Sequence, residues 1–351
     1  ITKQDEILIL SNSLPLKDFD CYLPEVNHAA ASAYSNRYVN FFGRKVLHGL
    51  RIAIYEHSSA GRDIYADVLM EMGAEVLSLG RSDVFVPIDT EAVSDEDRHR
   101  AKLWAKEHSV NAIFSTDGDG DRPLIGDENG DWLPGDIVGL LTASFLNIKH
   151  LAVPVSCNSA IEQSGMFDQV TRTCIGSPYV IEQLDILKKL GAVSAGFEAN
   201  GGFILGSSVS GESGALEALP TRDALLPLIV LLSEMTKQKL SLSDFVKKLP
   251  NRFTASDRIQ DIAKNRSQQL IASLIDNSEM AIEMLMPEAT CVLKTDQTDG
   301  LRVQYDTGDI VHLRPSGNAP ELRCYVESSS ETRASNICHS ALGNIQEFFN
   351  K

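Results

Sequence analysis

The stretch Val110-Asn-Ala-Ile-Phe-Ser-Thr-Asp-Gly-Asp-Gly-Asp-Arg122 limits what this chain can become more than any other part of it. Val110, Ala112, Ile113 and Phe114 form a short apolar run bounded by polar residues, the pattern of a buried strand. Asp117, Asp119 and Asp121 follow, separated only by glycines. Carboxylates this close repel one another unless a cation sits among them. Glycine at each gap lets the backbone curl until all three converge. Oxygen-only ligands select a hard ion, Mg²⁺ or Ca²⁺, over zinc or copper. Arg122 comes next, placed as an anion partner, and a site of this type handles phosphate. Two other readings stand beside it. One is a solvated acidic turn. The other is an EF-hand, with Asp117, Asp119, Asp121 and Glu128 at its ligand positions. Against the EF-hand, Arg122 occupies the place that needs glycine, and a strand precedes the loop where a helix should.

With 351 residues the chain is long enough for two or three domains with separate cores. A net charge of −16 argues against nucleic acid or anionic membrane as a partner. A phosphate site must therefore be a local cluster of donors in an acidic surround. Cys21, Cys157, Cys174, Cys291, Cys324 and Cys338 are scattered without a C-x-x-C pair, which favours reduced thiols in a cytoplasm. The longest apolar run, Leu225 to Leu232, is too short to span a bilayer and contains Pro227.

Residues 1–24 read as a remnant of a preceding α/β domain. From 25 to 132 the pattern alternates: a helix to Phe42, a strand at 51–55, a helix stopping at Gly73, a strand at 76–79, and a helix from Ser94 to His108. Ser94 with Asp97 three residues on resembles a capping box. Such alternation implies parallel α/β units whose ligands bind at strand carboxyl ends, where the aspartates lie. A second α/β domain spans 133–252, with strands at 151–155, 171–175 and 192–197. The last strand ends at Glu198-Ala-Asn-Gly-Gly202, which is either a turn or a pair of polar side chains set to grip sugar hydroxyls. Thr221-Arg222-Asp223 then opens a long apolar helix read as core. From 253 to 351 one helix, several strands and a closing helix predict a smaller α+β domain. The fold class is thus two consecutive α/β domains with mixed, mostly parallel sheets, then an α+β domain. Between the last two strands lies Arg314-Pro-Ser-Gly-Asn-Ala-Pro-Glu-Leu-Arg323. Ser316, Gly317 and Asn318 offer successive backbone N–H groups, a nest for phosphate oxygens, and Arg314 and Arg323 offer charge-assisted bonds. A hairpin loop with two solvated arginines is the alternative.

Three stretches in this order resemble the α-D-phosphohexomutases. Thr116–Arg122 looks like the family's metal loop, Gly196–Gly202 like its sugar loop, and Arg314–Pro320 like its phosphate loop. Arg172–Ser177 is similar to a short loop that helps choose between two substrate orientations. The resemblance implies Mg²⁺ on Asp117, Asp119 and Asp121, with Arg122 in a catalytic role. It gives Gly176, Glu198 and Asn200 to the sugar, and Arg314, Ser316, Gly317, Asn318 and Arg323 to the phosphate. It implies that hexose 1-phosphate and hexose 6-phosphate interconvert through hexose 1,6-bisphosphate. The family's phosphoserine loop, Thr-Ala-Ser-His-Asn-Pro, does not occur here, so the expected donor lies in an absent domain of roughly 100 residues. The chain departs from the family at Asn200 for serine, Asn318 for threonine, Ala319 for glutamate and Ser177 for histidine. Those departures leave the sugar preference and the general acid/base open. Alternatives are a sugar-phosphate binder without turnover, a phosphoglucosamine mutase, and a phosphatase with an aspartate nucleophile in the acidic run.

Overall fold

The computed structural model describes residues 28–211, 213–317 and 319–350, so the predicted remnant at 1–24, Cys21 and Asn318 lie outside the described residues. The chain groups into two units. One holds residues up to 152, 166–171 and 180–248; the other holds 153–165, 172–179 and everything from 249 onward.

The first unit begins with α1 (His28–Phe42), β1 (Arg51–Tyr55), α2 (Arg62–Glu71), β2 (Glu75–Leu79), α3 (Asp95–His108), β3 (Ala112–Thr116) and β4 (Pro123–Gly126). Its sheet runs β2-β1-β3-β4, with β1 parallel to β2 and to β3 and with β4 antiparallel to β3. All five residues of β3 are buried, which is why the sequence shows an apolar run there. Ser94 caps α3, its Oγ accepting the Asp97 N–H at 3.1 Å. The Asp97 carboxylate accepts from the Ser94 hydroxyl, so only half of the predicted capping box forms.

The alternation resumes with α4 (Gly135–Phe145), β5 (His150–Pro154), α5 (Ala160–Gln163), β6 (Gln169–Thr173), α6 (Ser177–Lys189) and β7 (Ser194–Phe197). Four short strands follow: β8 (Phe203–Leu205), β9 (Val209–Gly211), β10 (Gly214–Leu216) and β11 (Leu219–Asp223). Helices α7 (Leu225–Gln238) and α8 (Leu242–Val246) come after them. The sheet order is β11-β8-β7-β5-β6, with β5 parallel to β7 and β8 antiparallel to both β7 and β11. Thr221, Arg222 and Asp223 thus end a strand instead of opening a helix. The Asp223 carboxylate accepts the Leu225 and Leu226 N–H groups and the hydroxyls of Tyr34 and Tyr38, and these bonds fix the helix start two residues later.

In the second unit, β12 (Phe253–Ile259), α9 (Lys264–Asp276), α10 (Ser278–Leu285), β13 (Val292–Asp296), β14 (Leu301–Tyr305), β15 (Ile310–Pro315), β16 (Leu322–Ser328) and α11 (Glu331–Asn350) build an α+β domain. Its antiparallel sheet runs β12-β16-β15-β14-β13. One face sends Leu301, Val303, Tyr305, Leu313, Cys324 and Val326 into a core shared with α9, α10 and α11. Strand alternation puts Arg302, His312, Arg314 and Arg323 on the other face. The fold class is therefore the predicted one, α/β followed by α+β. Among the described residues Cys157, Cys174, Cys291, Cys324 and Cys338 are free thiols, and no helix is long and apolar enough to cross a membrane.

Candidate functional site

Strand β3 delivers the acidic loop at its carboxyl end. Gly120 has a φ of 81°, the left-handed turn that lets Asp121 swing back toward Asp117. The loop is pinned from one side by the segment after β1. His57 Nε2 lies 2.9 Å from the Thr116 carbonyl, the Ala60 N–H donates to Gly118 O, and the Tyr65 hydroxyl donates to Gly120 O at 3.0 Å. Ser59 and Thr116 share a 2.6 Å hydroxyl contact. Held this way, Asp117, Asp119 and Asp121 bring one oxygen each to within 4.8 Å of the others.

The electrostatics follow from that crowding. Burial, a hydrogen bond shared with Asp119 and the charges of Asp119 and Asp121 push Asp117 up to about 7. Burial acts the same way on Asp119, but the bond from Asp117 and its own backbone hold it below the usual carboxylate range. Burial raises Asp121 against the pull of Arg222. Arg122 lies across the loop, its Nε 3.5 Å from Asp117 and 3.9 Å from Asp121.

Glu198 stands at the end of β7, buried, with its N–H donating to Gly202 O. Asn200 Oδ1 accepts the Gly202 N–H at 3.0 Å, so the pentapeptide is a turn and also presents a carboxylate. Burial raises Glu198, while Arg222, Arg122 and the Asn200 amide pull it down. Arg222, on β11, joins the two loops: it reaches Asp121 at 2.6 Å and Glu198 at 3.7 Å. Four carboxyl groups thus face two guanidinium groups, an excess of acid that Asp117 relieves by holding its proton toward neutral pH. Both Asp121 oxygens are buried and neither accepts a well-directed hydrogen bond. That donor set fits a hard divalent cation. The EF-hand alternative fails, because the Glu128 carboxylate is taken by the N–H and hydroxyl of Ser243.

The second unit holds the other predicted groups. Arg314 and Arg323 are cross-strand partners and leave the same sheet face. Two like charges side by side need acceptors. Asp299 accepts from Arg314 Nε at 2.8 Å, and Glu321 lies 3.6 Å from Arg323. The Ser316 N–H donates to Glu321 O at 2.8 Å, so one of the three amides predicted to cradle phosphate already has a partner. The Ser316 hydroxyl accepts the Ala319 N–H at 3.4 Å, and Gly317 has open space where a side chain would be. Gly176, with a φ of 134°, belongs to this unit, whereas Glu198 and Asn200 belong to the first. The turn between β13 and β14 ties its segment to the arginine: Asp299 Oδ2 also accepts the Ile175 N–H at 3.0 Å, and Thr298 O accepts from Cys174 Sγ.

Sequence reasoning missed two residues. Arg222 was read as part of a core helix, and no pattern around it points to the acidic loop. Asp299 had a signal, since Asp299-Gly300 between two strand patterns marks a tight turn.

The chain is similar to known proteins over most of its length. A family model described as phosphoglucomutase/phosphomannomutase, alpha/beta/alpha domain III, matches residues 134–253. One described as phosphoglucomutase/phosphomannomutase, C-terminal domain, matches residues 248–343. A phosphomannomutase of Salmonella muenchen is 50% identical over 99% of this chain and 72% of its own length. Among solved structures, a phosphoglucomutase/phosphomannomutase family protein of Burkholderia thailandensis aligns with a TM-score of 0.69 at 17% identity. That alignment covers 91% of this chain and 64% of that one. An N-acetylphosphoglucosamine mutase of Aspergillus fumigatus, solved with GlcNAc-6P and magnesium, aligns with a TM-score of 0.60 at 14% identity, over 94% of this chain and 68% of that one.

Proposed function

Because the chain belongs to the phosphoglucomutase/phosphomannomutase family, we propose that it serves a phosphohexomutase that interconverts hexose 1-phosphate and hexose 6-phosphate through a bisphosphorylated sugar. Mannose is the first sugar to test, given the phosphomannomutase at 50% identity. The observation that carries the reading is the convergent carboxylate triad, Asp117 buried at its base, with two guanidinium groups across it.

Asp117, Asp119 and Asp121 would hold Mg²⁺, which supplies charge neutralisation at a transferring phosphoryl group. Arg122 stabilises charge on the equatorial oxygens of that group. Glu198 and Asn200 hold sugar hydroxyls, with Gly176 shaping the loop that selects substrate orientation. Arg314, Ser316, Gly317, Asn318 and Arg323 hold the phosphate that does not react, and positioning of this kind supplies much of the rate in phosphoryl transfer. The donor is a phosphoserine outside these residues, so the chain alone binds without isomerising. The enzyme works in the cytoplasm.

The test is a coupled assay with mannose 1-phosphate, glucose 1-phosphate, Mg²⁺ and a trace of sugar bisphosphate. This chain is run beside a polypeptide extended on its N-terminal side. Turnover from the longer protein with silence from the shorter is the expected result. Isomerisation by these residues alone, or steady phosphate release, would overturn the reading.

A further inference from the structure

Arg222 is built into the first unit more firmly than a surface ion pair requires. Its side chain is 15% exposed, and its fork spans Asp121 at 2.6 Å and Glu198 at 3.7 Å. The backbone is cut to fit it. A Cβ at residue 202 would meet Arg222 Cδ at 2.7 Å, so glycine there opens the path along which the guanidinium reaches the acidic loop. Asn200 Oδ1, bonded to the Gly202 N–H, holds that passage in shape.

We propose that Arg222 is a positioning residue with two opposed effects: it weakens cation binding at Asp121 and strengthens the grip of Glu198 on a sugar hydroxyl. This rests on the mutase reading of the site. A cation held by the triad would share Asp121 with the Arg222 guanidinium, and two positive charges on one carboxylate repel. Glu198 has the opposite need. It is buried, and Arg222 is its ion-pair partner among the described residues. At 3.7 Å, with Glu198 Oε2 accepting no hydrogen bond, the guanidinium steadies the carboxylate through charge and leaves that oxygen open to a hydroxyl. One residue therefore tempers the metal loop and sets the sugar loop.

The two effects can be read separately on this chain. Mn²⁺ affinity is followed by the electron paramagnetic resonance signal of the free ion, and mannose 1-phosphate affinity by titration calorimetry at saturating Mg²⁺. Arg222→Met should tighten Mn²⁺ about tenfold by removing the repelling charge, and should weaken mannose 1-phosphate about fivefold or more by releasing Glu198. Arg222→Lys keeps the charge but not the fork. Its Mn²⁺ affinity should stay within about threefold of the parent while the sugar phosphate weakens as in the methionine variant. A structural role alone would weaken both ligands together. That result in the two variants, or no change in either constant, overturns the proposal. Should Arg222→Met not fold, the unequal response of Arg222→Lys decides by itself. Failure of the parent chain to bind Mn²⁺ and mannose 1-phosphate overturns the mutase reading instead.

Discussion

His312 makes the second unit sensitive to mild acid. Its ring lies on the polar sheet face, 2% exposed, stacked on Tyr325 at 5.4 Å, with Nε2 2.7 Å from the Asp299 carbonyl. Burial holds its pKa down to about 4, below the usual 6.5 of a histidine, against a weaker upward pull from the bond to Asp299. The folded form therefore keeps the imidazole neutral where the unfolded chain would charge it. Stability is whole above the unfolded value and is lost as pH falls from about 6.5 to about 4. At about 1.4 kcal/mol per pH unit, the loss reaches about 2 kcal/mol at pH 5 and about 3 kcal/mol in total. His312→Gln keeps a donor for the Asp299 carbonyl and cannot titrate. Urea unfolding read by far-UV circular dichroism at pH 7.5 should show the variant less stable by about 1 kcal/mol, from a poorer bond and the lost stack. At pH 5 that deficit should close or reverse. Trp104 and Trp132 sit in the first unit, so their fluorescence gives an internal control that should move equally in both proteins. Parallel pH dependence of the two dichroism midpoints would mean that His312 does not set the acid sensitivity.

Three further outcomes follow from the same geometry. Asp299→Asn removes the charge that holds Arg314 and one acceptor shared with Ile175. It should cost about 1–2 kcal/mol of urea stability and weaken mannose 1-phosphate in calorimetry, leaving Mn²⁺ affinity unchanged. Gly120→Ala puts a Cβ 2.8 Å from the Tyr65 hydroxyl at a φ of 81°. The strain should lower first-unit stability by about 1–3 kcal/mol by tryptophan fluorescence, with weaker Mn²⁺ binding. Glu128→Ala should leave Mn²⁺ affinity untouched, because its carboxylate serves Ser243. A drop there would restore the EF-hand reading.

What the sequence made legible was what short-range physics controls. The run at 112–116 is buried on both faces, so its apolar character shows directly. Three aspartates with glycine spacers can converge only in a loop, and Ser94 announces a helix start wherever it lies. Strand β12 was missed because five of its seven residues are exposed and no alternation survives. The strands β8 to β11 are three to five residues long, too short for a period to register. Arg222 illustrates the deeper limit. Its partners are 101 and 24 residues away along the chain, and only the sheet that places β11 brings them together. Ser316 shows a subtler one: the sequence lists its amide as a donor but cannot say that Glu321 takes it.

Under the proposed function this chain holds a hexose phosphate, with Glu198 on the sugar and Arg314 on the phosphate. Titration calorimetry of mannose 1-phosphate with the 351-residue chain tests it most directly. Saturable one-to-one binding is expected, weakened about tenfold or more by Glu198→Gln and, separately, by Arg314→Met. Absence of saturable heat, or heat undiminished in both variants, would contradict it.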